Sequence, residues 1–384
     1  MSTDLRPQTR EELPPTGLDQ VSGVEVAPVQ PATDGPGRVV LAVAAVVAVL
    51  LWQVAGFHVA VSAALAFLIY LVALYGVYRH ASGHRQAVNR VMTGMITGAF
   101  VLAVLPLISL LWTVTSNGIG LATDLDFLQS TMRGVDGRHD RAIFEDGAPL
   151  IGGVYHAVMG TLIITGIATL ISVPIGLLTA IYLVEYGAGS KLAQAIRFMV
   201  DVMTGIPSIV AGLFAFALFS LFLGPAEAKI GIAGSVALCV LMIPTVVRNS
   251  EEMLRIVPNE LREAALALGV PKWRVILKVV LPTAASGLAS GVTLSIARVI
   301  GETAPLLVTI GAVPFLNLNP VDGRMNTLAV YAYDLFKNPL SPGSYAEPSM
   351  QRAWAAALLL LLIVILLNLA ARLIAKIFAP KTGR

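Results

Sequence analysis

Two charged side chains stand alone in a long apolar stretch. Between residues 286 and 312 the only charges are Arg298 and Glu302, four positions apart. On a helix that spacing puts both on one face, about 6 Å apart along the axis. A charge near the bilayer centre costs roughly 3 kcal/mol on insertion scales, so such residues face a protein interior or a water-filled cavity. The planar fork of arginine can bond two oxygens of an anion at once. A carboxylate one turn away can neutralise the arginine when no anion is present, so the pair can exchange partners during transport. The other reading is an ion pair that only packs helices, since buried pairs also serve specificity. A second set, Arg248 with Glu251, stands at the end of the apolar run 230–247. Arg248 is expected either to line the same pathway or to snorkel to the membrane interface. Asp201 opens the run 198–224, where an acid favours a helix N-terminus. His58, His80, His84, His139 and His156 are scattered without metal-ligand spacing, so no metal and no cofactor is expected.

Residues 251–282 carry a docking chemistry instead. The stretch EEMLRIVPNELREAALALGVPKWRVILKVVLP is too polar to span a membrane. Leu261, Ala264, Ala265 and Leu268 recur at i, i+3, i+4 and i+7, one face of a helix. Gly269 fits the left-handed position just past a helix end, and Pro271 fits the first turn of a second helix. Trp273, Ile276, Leu277 and Val280 repeat the apolar spacing, with Lys272, Arg274 and Lys278 outside the stripe. The spacing predicts two short amphipathic helices joined at a glycine, a protrusion suited to a groove on a partner. An ordinary amphipathic helix lying in the membrane interface is the plainer alternative.

The elements that must position these residues are membrane spans. Eight runs, 39–55, 59–78, 91–115, 157–183, 198–224, 230–247, 286–312 and 353–371, together hold three charges: Asp201, Arg298 and Glu302. Each is near the roughly 20 residues that cross a bilayer as a helix and well beyond the ~10 of an outer-membrane strand. The chain of 384 residues is 56% hydrophobic and 13% charged, against about 25% charge in soluble domains. Its mean hydropathy is +0.79. These values exclude a soluble enzyme, a nucleic-acid-binding module and a disulfide scaffold; Cys239 is the single cysteine. The fold class expected is an all-α polytopic membrane protein of about eight spans. Pro106, Pro174, Pro207, Pro244 and Pro305 fall inside runs and predict kinks.

Lys and Arg concentrate in cytoplasmic loops. With both termini inside, the inner segments hold 18 of the 26 basic residues, including three arginines in loop 79–90. Residues 1–38 carry six acids and six prolines and read as a disordered cytoplasmic tail with no cleavable signal peptide. Residues 39–90 read as a separate transmembrane hairpin and basic loop, its two runs joined only by Gly56, Phe57 and His58. No GxxxxGK followed by Ser or Thr occurs, so if ATP drives this protein another polypeptide hydrolyses it. The chain itself is expected not to be an enzyme.

The spacing Glu263-Ala264-Ala265, then Gly269, Val279 and Leu281-Pro282, resembles the EAA loop of ABC importer permeases, with Val279 where that family prefers Ile. The stretches ISVPIGLLTAIYLVEYG (171–187), IRFMVDVMTGIPSIVAGLF (196–214), IPTVVRNSEEMLRIVPNELREAALALGVPKW (243–273) and SIARVIGETAPLL (295–307) resemble the PstA-type permease subunits of bacterial phosphate ABC importers. The resemblance covers about residues 91–380. It implies a type I importer permease domain over 91–384, with a core of five spans in 157–371 and one wrapping span, 91–115. The EAA segment would couple to an ATPase dimer (PstB-type). A second permease (PstC-type), an extracytoplasmic phosphate-binding protein (PstS-type), phosphate itself and membrane lipid would be the other partners, in the bacterial cytoplasmic membrane. In that family, pairs matching Arg248 with Glu251 and Arg298 with Glu302 are tied to phosphate passage. The hairpin 39–78 is additional to the family pattern. Residue chemistry alone leaves sulfate, molybdate or another oxyanion open, since one arginine suits them all. An ion-coupled carrier or channel would show inverted repeats; none is evident, and residues 251–282 would then have no task.

Overall fold

The computed structural model describes residues 35–53, 58–187 and 189–378, and among them all regular structure is helical. Most of the tail 1–38, together with Gly56 and Phe57 of the first hairpin, lies outside the described residues. The chain divides into two compact units, Met1–Leu107 and Ile108–Arg384.

The first unit holds α1 (Gly35–Gln53), α2 (Val59–Ser82) and the first part of α3 (His84–Ala122). Leu74 and Tyr78 of α2 bury against Val40 of α1 and Ala87 of α3. Gly94 and Gly98 of α3 lie under the side chains of Tyr70, Leu71 and Phe67, and a methyl on Gly98 would strike the Phe67 ring. Aromatic side chains thus bridge α2 and α3.

In the second unit, after the end of α3, come α4 (Leu125–Gln129), α5 (Gly137–Glu145), α6 (Tyr155–Ile181), α7 (Lys191–Thr204), α8 (Ser208–Leu223) and α9 (Gly231–Ile256). They are followed by α10 (Asn259–Ala267), α11 (Lys272–Val275), α12 (Leu281–Ile300), α13 (Ala304–Thr309), α14 (Leu328–Lys337) and α15 (Glu347–Phe378). The pair α6 and α9 is its spine. Ala157, Gly160, Ile164, Ala168, Ser172, Gly176 and Ala180 are all buried on α6 and recur every three or four residues. Small residues at that period let two backbones approach closely inside a membrane, where hydrophobicity alone does not drive helices together. Gly176 accordingly lies against Val246 of α9. The Ser235 hydroxyl donates to Ile164 O at 3.1 Å, and Cys239 Sγ lies 3.7 Å from Ala168 O. Pro174 and Pro244 both sit inside these helices.

Apolar clusters succeed one another along α6. One joins Ala157 to Phe127, Tyr331 and Ala355 near α4, α14 and α15. A middle one joins Ile164 and Ala168 to Leu238, Met242, Val299 and Leu306. A third joins Ala180 to Leu254, Val275 and Val280. At the α5 end, Arg352 and Asp140 are wholly buried and paired at 2.7 Å; Arg352 also donates to Ile151 O, and Ser349 donates to Asp140.

The count of about eight spans is not reached among the described residues. Among the described residues six helices are long and apolar enough to cross a membrane, or seven if one bent pair counts as a single span. That pair is α7 and α8, which the sequence joined in the run 198–224; they meet at 105°. Gly205, Ile206 and Pro207 separate them: Pro207 offers no backbone N–H and holds the preceding residue out of the helical region. The run 286–312 is also interrupted: α12 stops at Ile300, and α13 begins after Thr303 with Pro305 in its first turn. The described part of run 39–55 forms only a shorter apolar helix.

Candidate functional site

The break after α12 decides where Glu302 goes. Arg298 stays in the last turn of α12, whereas Glu302 lies beyond Gly301, outside the helix. The expected i, i+4 pair on one helical face is therefore not formed, and Arg298 and Glu302 make no salt bridge. Arg298 instead shares a cavity with Arg248. A cavity of about 520 Å³ is lined by Asp201, Thr204, Pro244, Thr245, Arg248, Asn249, Leu294, Ser295 and Arg298. Three elements supply it: the C-terminal turn of α7, the second half of α9 and the end of α12. Asn249 fixes the last two together, donating to Gly291 O at 3.2 Å and to Ser295 Oγ at 3.3 Å. A side chain on Gly291 would press on Asn249, so the glycine keeps the crossing close.

Arg248 reaches Asp201 at 3.5 Å and Glu252 at 3.8 Å, with both arginine and aspartate more than half exposed. Asp201 was expected to begin a helix. The structure puts it in the final turn of α7, because that helix starts at the Ser190 cap and ends at Thr204. It faces the cavity as the carboxylate partner of an arginine. Glu251 is not the partner of Arg248 either. Its buried carboxylate takes Arg197 at 2.9 Å and Arg255 at 2.5 Å. Of the four residues expected on the pathway, the structure brings Arg248 and Arg298 to one cavity and leaves Glu251 and Glu302 out of its lining. Thr204, Thr245, Ser295 and Asn249 already donate to Val200 O, Met242 O and Gly291 O, so the two guanidinium forks are the donors this space offers to a small tetrahedral oxyanion.

The segment 251–282 folds largely as its spacing predicts. Gly269 has φ of 74°, the left-handed region that disfavours any side chain. Its N–H bonds Leu266 O and the N–H of Val270 bonds Ala265 O, a Schellman closure of α10. Glu263 and Ala264 are exposed on α10, and Ala265 packs partly under the loop. Pro271 precedes α11 rather than entering it. Val279 lies in a π-helical segment, Ile276–Val280, and Leu281 and Pro282 open α12. The wider π turn divides the expected stripe: Ile276 and Val280 are buried, whereas Trp273 and Leu277 are exposed. Leu261, Leu266 and Leu268 are exposed too, Leu268 at 83%.

An anchor that the sequence did not signal holds this protrusion. Arg262 donates to Glu185 at 3.0 Å, to Leu254 O at 2.8 Å and to Val257 O at 2.6 Å. Lys272 adds a bond to Glu185 O. Glu185 lies in a second π-helical segment, Tyr182–Tyr186, at the end of α6. The base of α10 is thereby tied to the ends of both spine helices.

The chain matches the family of binding-protein-dependent transport system inner membrane components over residues 172–384, more than half its length, and belongs to that family. It is thus a multi-pass permease subunit of an ABC transporter. The phosphate transport system permease protein PstA 1 of Mycobacterium tuberculosis (strain CDC 1551 / Oshkosh) is 44% identical over 298 residues, covering 78% of this chain and 92% of that protein. PstA of Mycobacterium leprae (strain TN) is 43% identical over 293 residues, covering 76% and 90%. PstA of Haemophilus influenzae (strain ATCC 51907 / DSM 11121 / KW20 / Rd) is 38% identical over 290 residues, covering 75% and 94%. Within the family the chain falls with the PstA permeases. Among solved structures, an inward-facing MetNI methionine ABC transporter chain aligns at 21% identity with a TM-score of 0.45, covering 59% of this chain and 95% of that one.

Proposed function

We propose that this chain forms one half of a heterodimeric pathway that imports inorganic phosphate across the bacterial cytoplasmic membrane. The observation that carries the reading is the single cavity shared by Arg248 and Arg298. The names of the relatives supply the cargo, and the cavity supplies a chemistry that suits it. Arg298 and Arg248 hold the anion in turn. Asp201 leaves Arg248 when the anion arrives, because an exposed pair at 3.5 Å is weakly held. Phosphate near neutral pH keeps a proton that it can donate to the Asp201 carboxylate. Sulfate has none, so the same carboxylate repels it. Glu302 and Glu251 act outside the cavity, Glu251 by holding Arg197 in the middle of α7 and Arg255 in the last turn of α9.

On this reading residues 91–384 form the permease domain, 39–90 an added hairpin, and both termini and α10 lie in the cytoplasm. A separate dimer of ATPase subunits docks on α10 and α11 through exposed Leu261, Leu268 and Trp273, flanking Glu263, Ala264, Ala265 and Gly269. This chain hydrolyses nothing. A second, related permease completes the pathway, and an extracytoplasmic binding protein delivers the anion. ATP favours one conformation over the other only through its differential binding to the two. The test is uptake of radiolabelled phosphate by cells lacking this chain, with and without it restored, under excess sulfate. Restored uptake that sulfate does not reduce is the expected result. Equal suppression by sulfate, or no restoration with the protein present in the membrane, overturns the cargo assignment.

A further inference from the structure

The first unit carries a basic site of its own. A groove of about 640 Å³ is lined by residues of α1, α2 and α3. Arg38 and Arg90 both line it. Tyr78 lines it beside them, with the Arg90 guanidinium 5.3 Å from its ring centroid. Most of the remaining lining is apolar, with small residues such as Ala44, Ala48, Ala63 and Ala66 beside the larger Phe67 and Tyr70. From Arg38 to Ala48, and from Arg90 to Val101, the helices rise about 15–16 Å. That is about half the ~30 Å hydrocarbon core, the depth of one leaflet. Between residues 35 and 107 the sequence has four arginines and no Asp or Glu.

We propose that this groove binds one anionic phospholipid, its phosphate held by Arg38 and Arg90 and an acyl chain laid along the alanine-lined floor. The charge matches a lipid phosphate, the floor matches a hydrocarbon chain, and the length matches one leaflet. Arginine suits the headgroup because its fork meets two phosphate oxygens at once. Gly94 and Gly98 leave room beneath Tyr70 and Phe67, which close one side of the groove. The site does not depend on the cargo of the permease.

Native mass spectrometry of the full chain, released from micelles containing phosphatidylglycerol or phosphatidylcholine of identical acyl chains, tests it. One phosphatidylglycerol per chain is expected to survive activation that strips phosphatidylcholine. Retention should fall roughly fivefold for each of Arg38→Gln and Arg90→Gln, and stay high for the Lys replacements, which keep the charge. Ala48→Phe, filling the floor with both arginines intact, should also release the lipid. Helical content by circular dichroism identifies any variant that has not folded. Excess inorganic phosphate should not displace the lipid. Equal retention of the two lipids, displacement by free phosphate, a second copy of the chain excluding lipid, or indifference to both the Gln and Phe substitutions overturns the proposal.

Discussion

Two arginine–aspartate pairs in the second unit have opposite characters. Arg352 and Asp140 are wholly buried, 2.7 Å apart, and joined by Ser349 and Ile151 O. Arg248 and Asp201 are more than half exposed, 3.5 Å apart, and open to a cavity. The first pair has no room for a third party and cannot give up either member without leaving a buried charge. The second is held by little, so an incoming anion can take the arginine. Residue type is the same in both; burial and saturation of hydrogen bonds separate a fastening from a binding site.

The largest effect is expected at the closed pair. Arg352→Ala strands the Asp140 carboxylate and should cost about 3–5 kcal/mol, read as a lower thermal midpoint of the purified protein and less of it in the membrane. Replacing both partners with Asp140→Leu and Arg352→Met should restore most of that loss. If the single variant were as stable as the parent, the comparison would fail at its firmer end. Next comes the open site. Arg298→Ala should reduce phosphate uptake roughly tenfold to a hundredfold, the value of a hydrogen bond to a charged group, while pull-down of the ATPase stays unchanged. Normal uptake would remove Arg298 from the pathway. A smaller effect is expected from Gly269→Val, which forces a branched side chain into the left-handed region at a cost of about 1–2 kcal/mol. It should loosen the ATPase in pull-down without altering the anion cavity. Unchanged pull-down would discredit the docking role of that turn. Smallest in stability is Asp201→Asn, under about 1 kcal/mol for an exposed pair. Its signature is selectivity: sulfate should begin to compete with phosphate for uptake. A variant that still ignores sulfate would show that Asp201 does not read the proton on the anion.

Much of the fold was legible because apolar runs of membrane length have few other outcomes. The breaks were not. Pro207 was visible, but a proline inside a span can kink a helix or end it. Only packing decides, here the close approach of Gly212 to the Pro305 backbone that seats α8 against α13. The turn at Gly269 was readable because it is local: a helix stripe, then glycine. Arg248 and Arg298 stood out as charges in or beside apolar runs. The expected Glu251 and Glu302 do not pair with them; Arg248 instead reaches Glu252, one turn on, and Asp201. Asp201 is 47 residues from Arg248 and Asp140 is 212 from Arg352. No periodicity reports such distances. Arg352 stands just before the run 353–371 and Asp140 among several acids between the runs 91–115 and 157–183, with no spacing to mark either.

The separation of 212 residues also sets a clock. At roughly 5–20 residues per second, the ribosome makes Asp140 about 10–40 s before Arg352. Over that interval four of the spanning elements, counting the bent α7–α8 pair as one, are synthesised while the carboxylate has no guanidinium to meet. The last helix to be made therefore fastens the layer begun by the earliest part of this unit. A chain that stops short of residue 352 carries nearly every apolar helix and still leaves the Asp140 carboxylate without its guanidinium.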